Sequence, residues 1–420
     1  MKGRQLAIVL LLLVALGGTA LLLTRRNSAS WRNTATASQN KILNFPLNDV
    51  SHVTIKGIGA ELNLVKKDDV WRVKERADYP ADFDKVSALI RKLWELRPVQ
   101  DVKVGPLQLG RLDLAGPGQQ TGSGTLLDLK GADDKRLGAL LLGKKYLTNP
   151  DQLPLPNEGD GITAGRYVMG QDGSNRVFLV SETLDDVDPK PERWLIRDFI
   201  KIENPKSIAV IGATPTMKWS VSRETATAPW KLLDAKRRED FDAAKVSNLT
   251  TLFSAATFAD VLPPDAPVAE TGLDKPSTAR IETFDNFVYE LRIGKLMGKN
   301  YPVLISVKAE LPKERTPAAA EKPEDKAKLD EDFQTRHKGL SDKLTKEQKL
   351  KNRPYLIAKS TIDQLLKDRS ALMTKKKPSP SPTVETSRAG AKEPSPPKSR
   401  VAPARGGNSP VPSSSPSRQR

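Results

Sequence analysis

An α+β fold is what this sequence predicts: two tandem copies of a mainly antiparallel sheet-plus-helix domain behind one N-terminal transmembrane helix. Three observations predict it. The same landmarks occur twice in the same order, short alternating apolar runs broken by turn residues fill both halves, and Leu6–Leu23 runs 18 residues without a charge.

The duplication reads as follows. Trp71 in Val70-Trp71-Arg72-Val73 returns as Trp230 in Trp230-Lys231-Leu232, and Asp82 with Lys85-Val86-Ser87 returns as Asp242 with Lys245-Val246-Ser247. Leu112-Asp113 returns as Leu273-Asp274, Gly143-Lys144 as Gly294-Lys295, and Phe178-Leu179-Val180 as Tyr355-Leu356-Ile357. The offsets are 159, 160, 161, 151 and 177 residues, so insertions and deletions are confined to a few loops. A period this long is a duplicated domain rather than a solenoid repeat.

The uncharged run would reach about 27 Å as a helix, enough to cross a bilayer core. Thr24-Arg25-Arg26 follows it where a cleavage site would stand, which points to an uncleaved anchor. Lys2 and Arg4 on one side nearly balance Arg25 and Arg26 on the other, so flanking charge does not orient it. Long domains translocate largely regardless of charge, and the body is expected outside the inner (plasma) membrane as part of a single-pass protein. The expected organisation is an anchor over 1–26, a linker over 27–40, repeat domains over 41–199 and 200–373, and a tail over 374–420.

Charge is concentrated at the ends. Residues 1–41 carry +6 and residues 374–420 carry +8, leaving +3 of the chain's +17 for everything between. A fold that binds nucleic acid shows its basic excess on the fold itself, so none is expected here. The tail, with ten Pro and few large apolar side chains, cannot bury enough surface to offset the entropy of ordering and reads as disordered. The chain has no Cys, which excludes disulfides, thiolate catalysis and Cys-ligated metals.

In the first copy, Val53–Lys56, Glu61–Val65 and Val70–Lys74 read as strands, with turns at Gly57-Ile58-Gly59 and Lys67-Asp68-Asp69. Asp82 caps a helix from Phe83 to Leu96 whose inner face is Phe83, Val86, Leu89, Ile90, Leu93 and Leu96. A Gly/Pro-rich loop through Gly116-Pro117-Gly118 leads to strands at Thr125–Leu129, Leu137–Leu142, Tyr167–Gly170 and Val177–Val180, and a helical segment over Arg193–Phe199 closes the copy. The second copy repeats the plan. Ser207–Ile211, Lys218–Ser222 and Trp230–Leu233 are strands, and Asp242 caps a helix with Val246, Leu249 and Phe253 inward. Ala279–Thr283, Val288–Ile293, Val303–Val307 and Tyr355–Ala358 are strands, and Thr361–Leu372 is a helix. Hairpins dominate, which argues for antiparallel sheets. A charged insertion, about 308–352, enters the second copy where the first has only Gln171–Asn175, and its part Asp330–Gln348 reads as a solvated helix.

Tests for chemistry come back thin. Gly138–Lys145 nearly spells a phosphate-binding loop, but Lys145 stands where Ser or Thr should meet magnesium and the interior is apolar like a strand. His52 enters a strand beside no carboxylate cluster and His337 lies in the insertion, too little for a zinc site or a catalytic triad. Asp68-Asp69 and Asp133-Asp134 sit in turns, where Asp is favoured for backbone reasons, and Asp185-Asp186 is a third adjacent pair. Trp71 and Trp230 read as core. Leu112 and Leu273 read as core plugs beside a capping or turning Asp. No catalytic, cofactor-binding or metal-binding residue is assigned, and no enzyme activity is expected.

Taken together, these features resemble the bacterial domain-of-unknown-function family 4340. The opening Asn44-Phe45-Pro46 to Val50 with Val53-Thr54-Ile55, the strand Trp71-Arg72-Val73, the capped helix, Thr271-Gly272-Leu273-Asp274 and Leu195-Ile196-Arg197-Asp198 carry the likeness over roughly residues 1–373. The first copy departs at Gly110-Arg111-Leu112-Asp113. The resemblance implies no known reaction. It implies company with gliding-motility-type ABC exporters, and hence an accessory or scaffold role in an envelope complex. The alternative is a protein that binds envelope polymer or another anionic surface through its basic tail, and a carboxylate hydrolase is a third.

Overall fold

The computed structural model describes residues 41–116, 122–147, 163–237, 239–317 and 321–374. The expected anchor, the linker and the tail from residue 375 onward lie outside the described residues. Among the described residues no helix is long and apolar enough to cross a membrane.

Two antiparallel sheets with a few helices make an α+β fold. The first sheet runs, in spatial order, Tyr79–Pro80 (β4), Val70–Val73 (β3), Ala60–Lys67 (β2), His52–Gly57 (β1), Thr125–Lys130 (β6), Arg136–Leu147 (β7), Thr163–Gly170 (β8), Val177–Val180 (β9) and Gln100–Val102 (β5). The second runs Lys231–Leu232 (β12), Lys218–Ser222 (β11), Pro205–Ile211 (β10), Ser277–Thr283 (β14), Phe287–Ile293 (β15), Asn300–Ala309 (β16), Tyr355–Ala358 (β17) and Asp260–Val261 (β13). Apart from β4, the two orders correspond strand for strand.

Register repeats as well. Val53 lies between Leu64 and Leu129, and Ile208 lies between Val221 and Ile281. Val73 faces Leu64 as Leu232 faces Val221, which puts Trp71 and Trp230 in one position. Phe178 faces Val168 opposite Leu142, and Tyr355 faces Val303 opposite Ile293. Both tryptophans are buried, as their strands' alternation requires.

The helix α1 (Phe83–Glu95) begins where Asp82 Oδ1 accepts the Lys85 N–H at 3.2 Å. Its stripe Val86, Leu89, Ile90, Leu93 is buried, each side chain contributing about 1.5–3 kcal/mol. Phe83, expected inside, is 61% exposed, and the stripe meets the core first at Val86. The counterpart α2 (Ala244–Ser247) is one turn long and passes into a 3-10 turn at Asn248–Thr250. Asn248, Thr250, Thr251 and Ser254 are poorer helix formers than the Ala, Leu, Arg and Lys of α1, which accounts for the break. Val246, Leu249 and Phe253 are nevertheless all buried.

Several elements differ from expectation. Arg193–Phe199 is not a helix: a 3-10 turn covers Pro191–Trp194, Leu195 bridges Ala81, and the Ile196 N–H goes to the Pro80 carbonyl. Tertiary pairing takes the backbone bonds a helix would need. Thr361–Leu372 is only a helical turn α5 (Lys359–Ile362) and a 3-10 turn at Arg369–Leu372, separated where the Trp219 indole N–H takes the Lys367 carbonyl at 2.9 Å. The strand expected over Trp230–Leu233 is two residues long, and β5 and β13, too short to show a period, were not expected.

The duplicated loop is also corrected. Asp113 ends the 3-10 segment Pro106–Leu112 and Gly272 ends α3 (Val268–Thr271), each in the left-handed region, at φ 55° and 70°. A Cβ on Gly143 would strike the Leu112 carbonyl, and one on Gly294 the Thr271 carbonyl. The structural pairs are therefore Asp113 with Gly272 and Leu114 with Leu273. Leu114 and Leu273 are the buried plugs, while Leu112 is only partly buried.

One apolar core runs through both halves, from Leu43 to Leu372. A smaller cluster of Leu114, Leu141, Met169 and Val177 lies apart from it.

Candidate functional site

Side chains from distant segments join the two sheets. Tyr79 comes from β4, Phe199 from the connection between halves, Phe258 from the approach to β13 and Tyr355 from β17. Their rings contact one another with centroids 5.1–6.2 Å apart. Burial pushes the Tyr79 and Tyr355 hydroxyls above the usual phenol range.

Three guanidinium groups surround this knot. Arg76 donates to both oxygens of Asp260 at 2.7 Å, a bidentate pair that raises its own pKa. Arg353 donates to the Arg76 and Ala77 carbonyls at 2.7 and 3.1 Å and stacks on Tyr79. Arg197 donates to the Phe258 and Ala259 carbonyls at 2.6 and 3.2 Å and stacks on Phe258. Each satisfies backbone oxygens or a carboxylate that the neighbouring segment leaves open.

The repeated Lys-Val-Ser triplet is a docking device. Val86 and Val246 are fully buried, and Ser87 and Ser247 return their hydroxyls to the carbonyls of Asp84 and Ala244. The Lys85 ammonium binds the Arg193 carbonyl at 3.0 Å, and Lys245 binds that of Met373. Beside them, Asp82 N–H meets the Trp194 carbonyl and Asp242 N–H meets that of Leu372. In each half the triplet ties the start of the helix to the segment that closes the half.

The insertion carries α4 (Lys326–Gln348), starting four residues earlier than expected and not solvated throughout. Leu340 and Leu344 pack on the core, Arg336 reaches Asp285 at 2.5 Å, and Phe333 lies against the His337 ring. At its end Glu347 is 5% exposed. It accepts from the Lys201 N–H and the Tyr289 hydroxyl, each at 2.8 Å. Burial raises its pKa against the lowering effect of those two bonds, and Tyr289 is driven far up by burial and by the carboxylate. Sequence reasoning missed Glu347. Its spacing from Leu340 and Leu344 was the available signal, and its charge masked it.

The sequence-flagged residues end up apart. Gly138–Lys145 lies wholly inside β7. His52 meets one carboxylate and no cluster of them: Nδ1 is 3.3 Å from Asp134 Oδ1 and Nε2 is 3.0 Å from Asn63 Oδ1. Asp68 and Asp69 form the β2–β3 turn with positive φ, Asp133 accepts the Lys135 N–H, and Asp185 pairs with Lys145 at 2.5 Å. Among the described residues no cluster of three His, Asp or Glu could hold a metal ion.

The model of a family described as a domain of unknown function (DUF4340) matches residues 71–276. That span starts at Trp71, crosses the joint and ends before β14. No curated protein matches the chain, and no solved structure does.

Proposed function

We propose, from the match of residues 71–276 to the DUF4340 family model, that the chain is a non-catalytic, membrane-anchored accessory or scaffold protein of a bacterial envelope complex, such as one with an ABC-type exporter. In this reading two tandem copies of one unit stand behind a single-pass anchor at Leu6–Leu23, with the body outside the inner membrane. One observation supports it most. Charged groups, from Arg76 and Arg353 to the duplicated lysines, bind the chain to itself across the joint and at the closing segments. A body made stiff in this way, with an added helix on the second half alone, suits the holding of a partner more than turnover.

The test uses the full-length chain in its native membrane. It should resist carbonate washing, deletion of residues 1–26 should release a soluble body, and crosslinkers placed along the exposed side of α4 should capture one recurrent membrane partner. Release of the whole chain by carbonate, or capture that is unchanged when the crosslinker is moved to the opposite half, would refute the reading. The charge excess of residues 374–420 supports a second reading, attachment to an anionic polymer or surface through the tail.

A further inference from the structure

The duplication supplies an internal control for a cavity. A space of about 260 Å3 lies between α1 and the closing segment of the first half. Its floor is apolar: Leu89, Leu184, Val187 and Trp194 are all buried. Its rim is charged, with Lys85, Lys92 and Arg193 along with Asp186; the Lys85 ammonium is already taken by the Arg193 carbonyl and Asp82, which leaves Lys92 and Arg193 as the two cations open to a ligand.

The closing segments of the two halves correspond at a constant offset, set by Trp194 and Leu372 on the helix-start N–H groups. Leu184 then matches Ile362 and Val187 matches Leu365, and all four are buried. On the helices, Leu89 matches Leu249 and Leu93 matches Phe253, again all buried. The same correspondence sets Lys92 against Leu252, Arg193 against Ala371 and Asp186 against Gln364. Leu252 packs on the core, as does Leu366. The shared floor is thus kept in both halves, and the differences fall on the charged rim.

Lys92 is the loosely held member. Its ammonium lies 3.8 Å from Glu182 and 3.8 Å from Asp186, beyond hydrogen-bond distance of either. Arg193 keeps donors beyond its single bond to Asp188. The volume is just below the about 300–1,000 Å3 of pockets for drug-sized ligands, so the space suits one short group. Two cations over an apolar floor that ends at an indole match an anion carried on a small apolar body.

We infer that this cavity is a binding site for a carboxylate on a short apolar body, with Lys92 and Arg193 taking the carboxylate and Leu184, Val187 and Trp194 the body. The carboxylate can come from a free short-chain acid or from the C-terminus of a partner polypeptide.

Calorimetric titration of the purified full chain in detergent, with micelle blanks subtracted, separates the sources. The probes are hexanoate, N-acetyl-alanyl-leucine with a free carboxylate, and hexylammonium as control. At least one carboxylate should bind saturably, hexylammonium should not, and K92L/R193A should weaken the binding at least tenfold. That variant installs what the second half already carries, so the fold should persist. If it does not fold, methyl spectra of the wild-type chain decide, because the bound carboxylate must shift Leu184 and Val187. Saturable binding by hexanoate alone identifies a free acid, and by the dipeptide alone a chain terminus. No saturable binding, equal binding of hexylammonium, affinity unchanged in K92L/R193A, or shifts confined to other methyls would overturn the assignment.

Discussion

Arg76 holds Asp260 through two hydrogen bonds of 2.7 Å across 184 residues of chain. Both side chains are about four-fifths covered, at 22% and 19% relative exposure. The pair closes one side of the aromatic knot of Tyr79, Phe199, Phe258 and Tyr355, so it joins the sheets where they share their core.

Removing either partner leaves a partly buried charge without its counterpart. D260A and R76A should each destabilise the chain by about 1.5–3 kcal/mol. The double variant should lose less than the two added together, because the coupling is lost only once. Urea unfolding of the four proteins measures it, and simple additivity would show that the pair does not couple the sheets.

Glu347 makes stability depend on pH. Burial raises its carboxyl above the ordinary 4.5, so the proton is held more tightly in the folded chain than in the unfolded one. That contribution favours folding below pH 4.5 and is lost as pH rises through the folded pKa. E347Q does not titrate at this position, so the stability of wild type relative to E347Q should fall as pH rises above 4.5. Parallel curves for the two proteins would refute it. E347A should be worse than E347Q at either pH, since it leaves the Lys201 N–H and the Tyr289 hydroxyl without their acceptor.

Gly143 and Gly294 should respond alike. A methyl group at either meets a backbone carbonyl that cannot swing away as a side chain would. G143A and G294A should each cost more than about 2 kcal/mol. G105A, where the added methyl meets nothing within 4 Å, is the matched control. Tolerance at one of the two tested positions would break the structural pairing of the halves.

Under the second reading, attraction of the tail to anions needs charge and not order. Replacing its ten Lys and Arg by Gln should abolish binding to anionic vesicles, while scrambling the tail at fixed composition should preserve it. Raising salt should weaken the interaction, since screening acts within about 8 Å at physiological ionic strength. Binding that survives the Gln replacement, or ignores salt, would show that the tail is not an electrostatic tether.

The features legible in the sequence are those with a local cause. Asp82 reads as a cap because its carboxylate serves an N–H three residues on. Asp68-Asp69 reads as a turn because the two residues alone set its backbone. Strands β1, β2 and β14 to β17 read from alternation, because one face of each meets the core. The duplicated landmarks carried the architecture further than any single element, because Trp71 and Trp230, or Phe178 and Tyr355, occupy matching positions in the sheets.

What tertiary structure alone decided has causes far apart in the chain. β5 and β13 are strands because β9 and β17 offer them an open edge, not because three or two residues carry a period. The helix expected over Arg193–Phe199 does not form because the backbone beside Ala81 takes the hydrogen bonds of Leu195 and Ile196. Leu114 replaces Leu112 as the plug because a left-handed Asp113 ends the helical segment and turns the chain just before Leu114. The same holds for the joint and for Glu347. A guanidinium or a carboxylate reads as solvated until a distant carbonyl, N–H or hydroxyl is brought to it, and only the folded chain brings Asp260 to Arg76 or Tyr289 to Glu347.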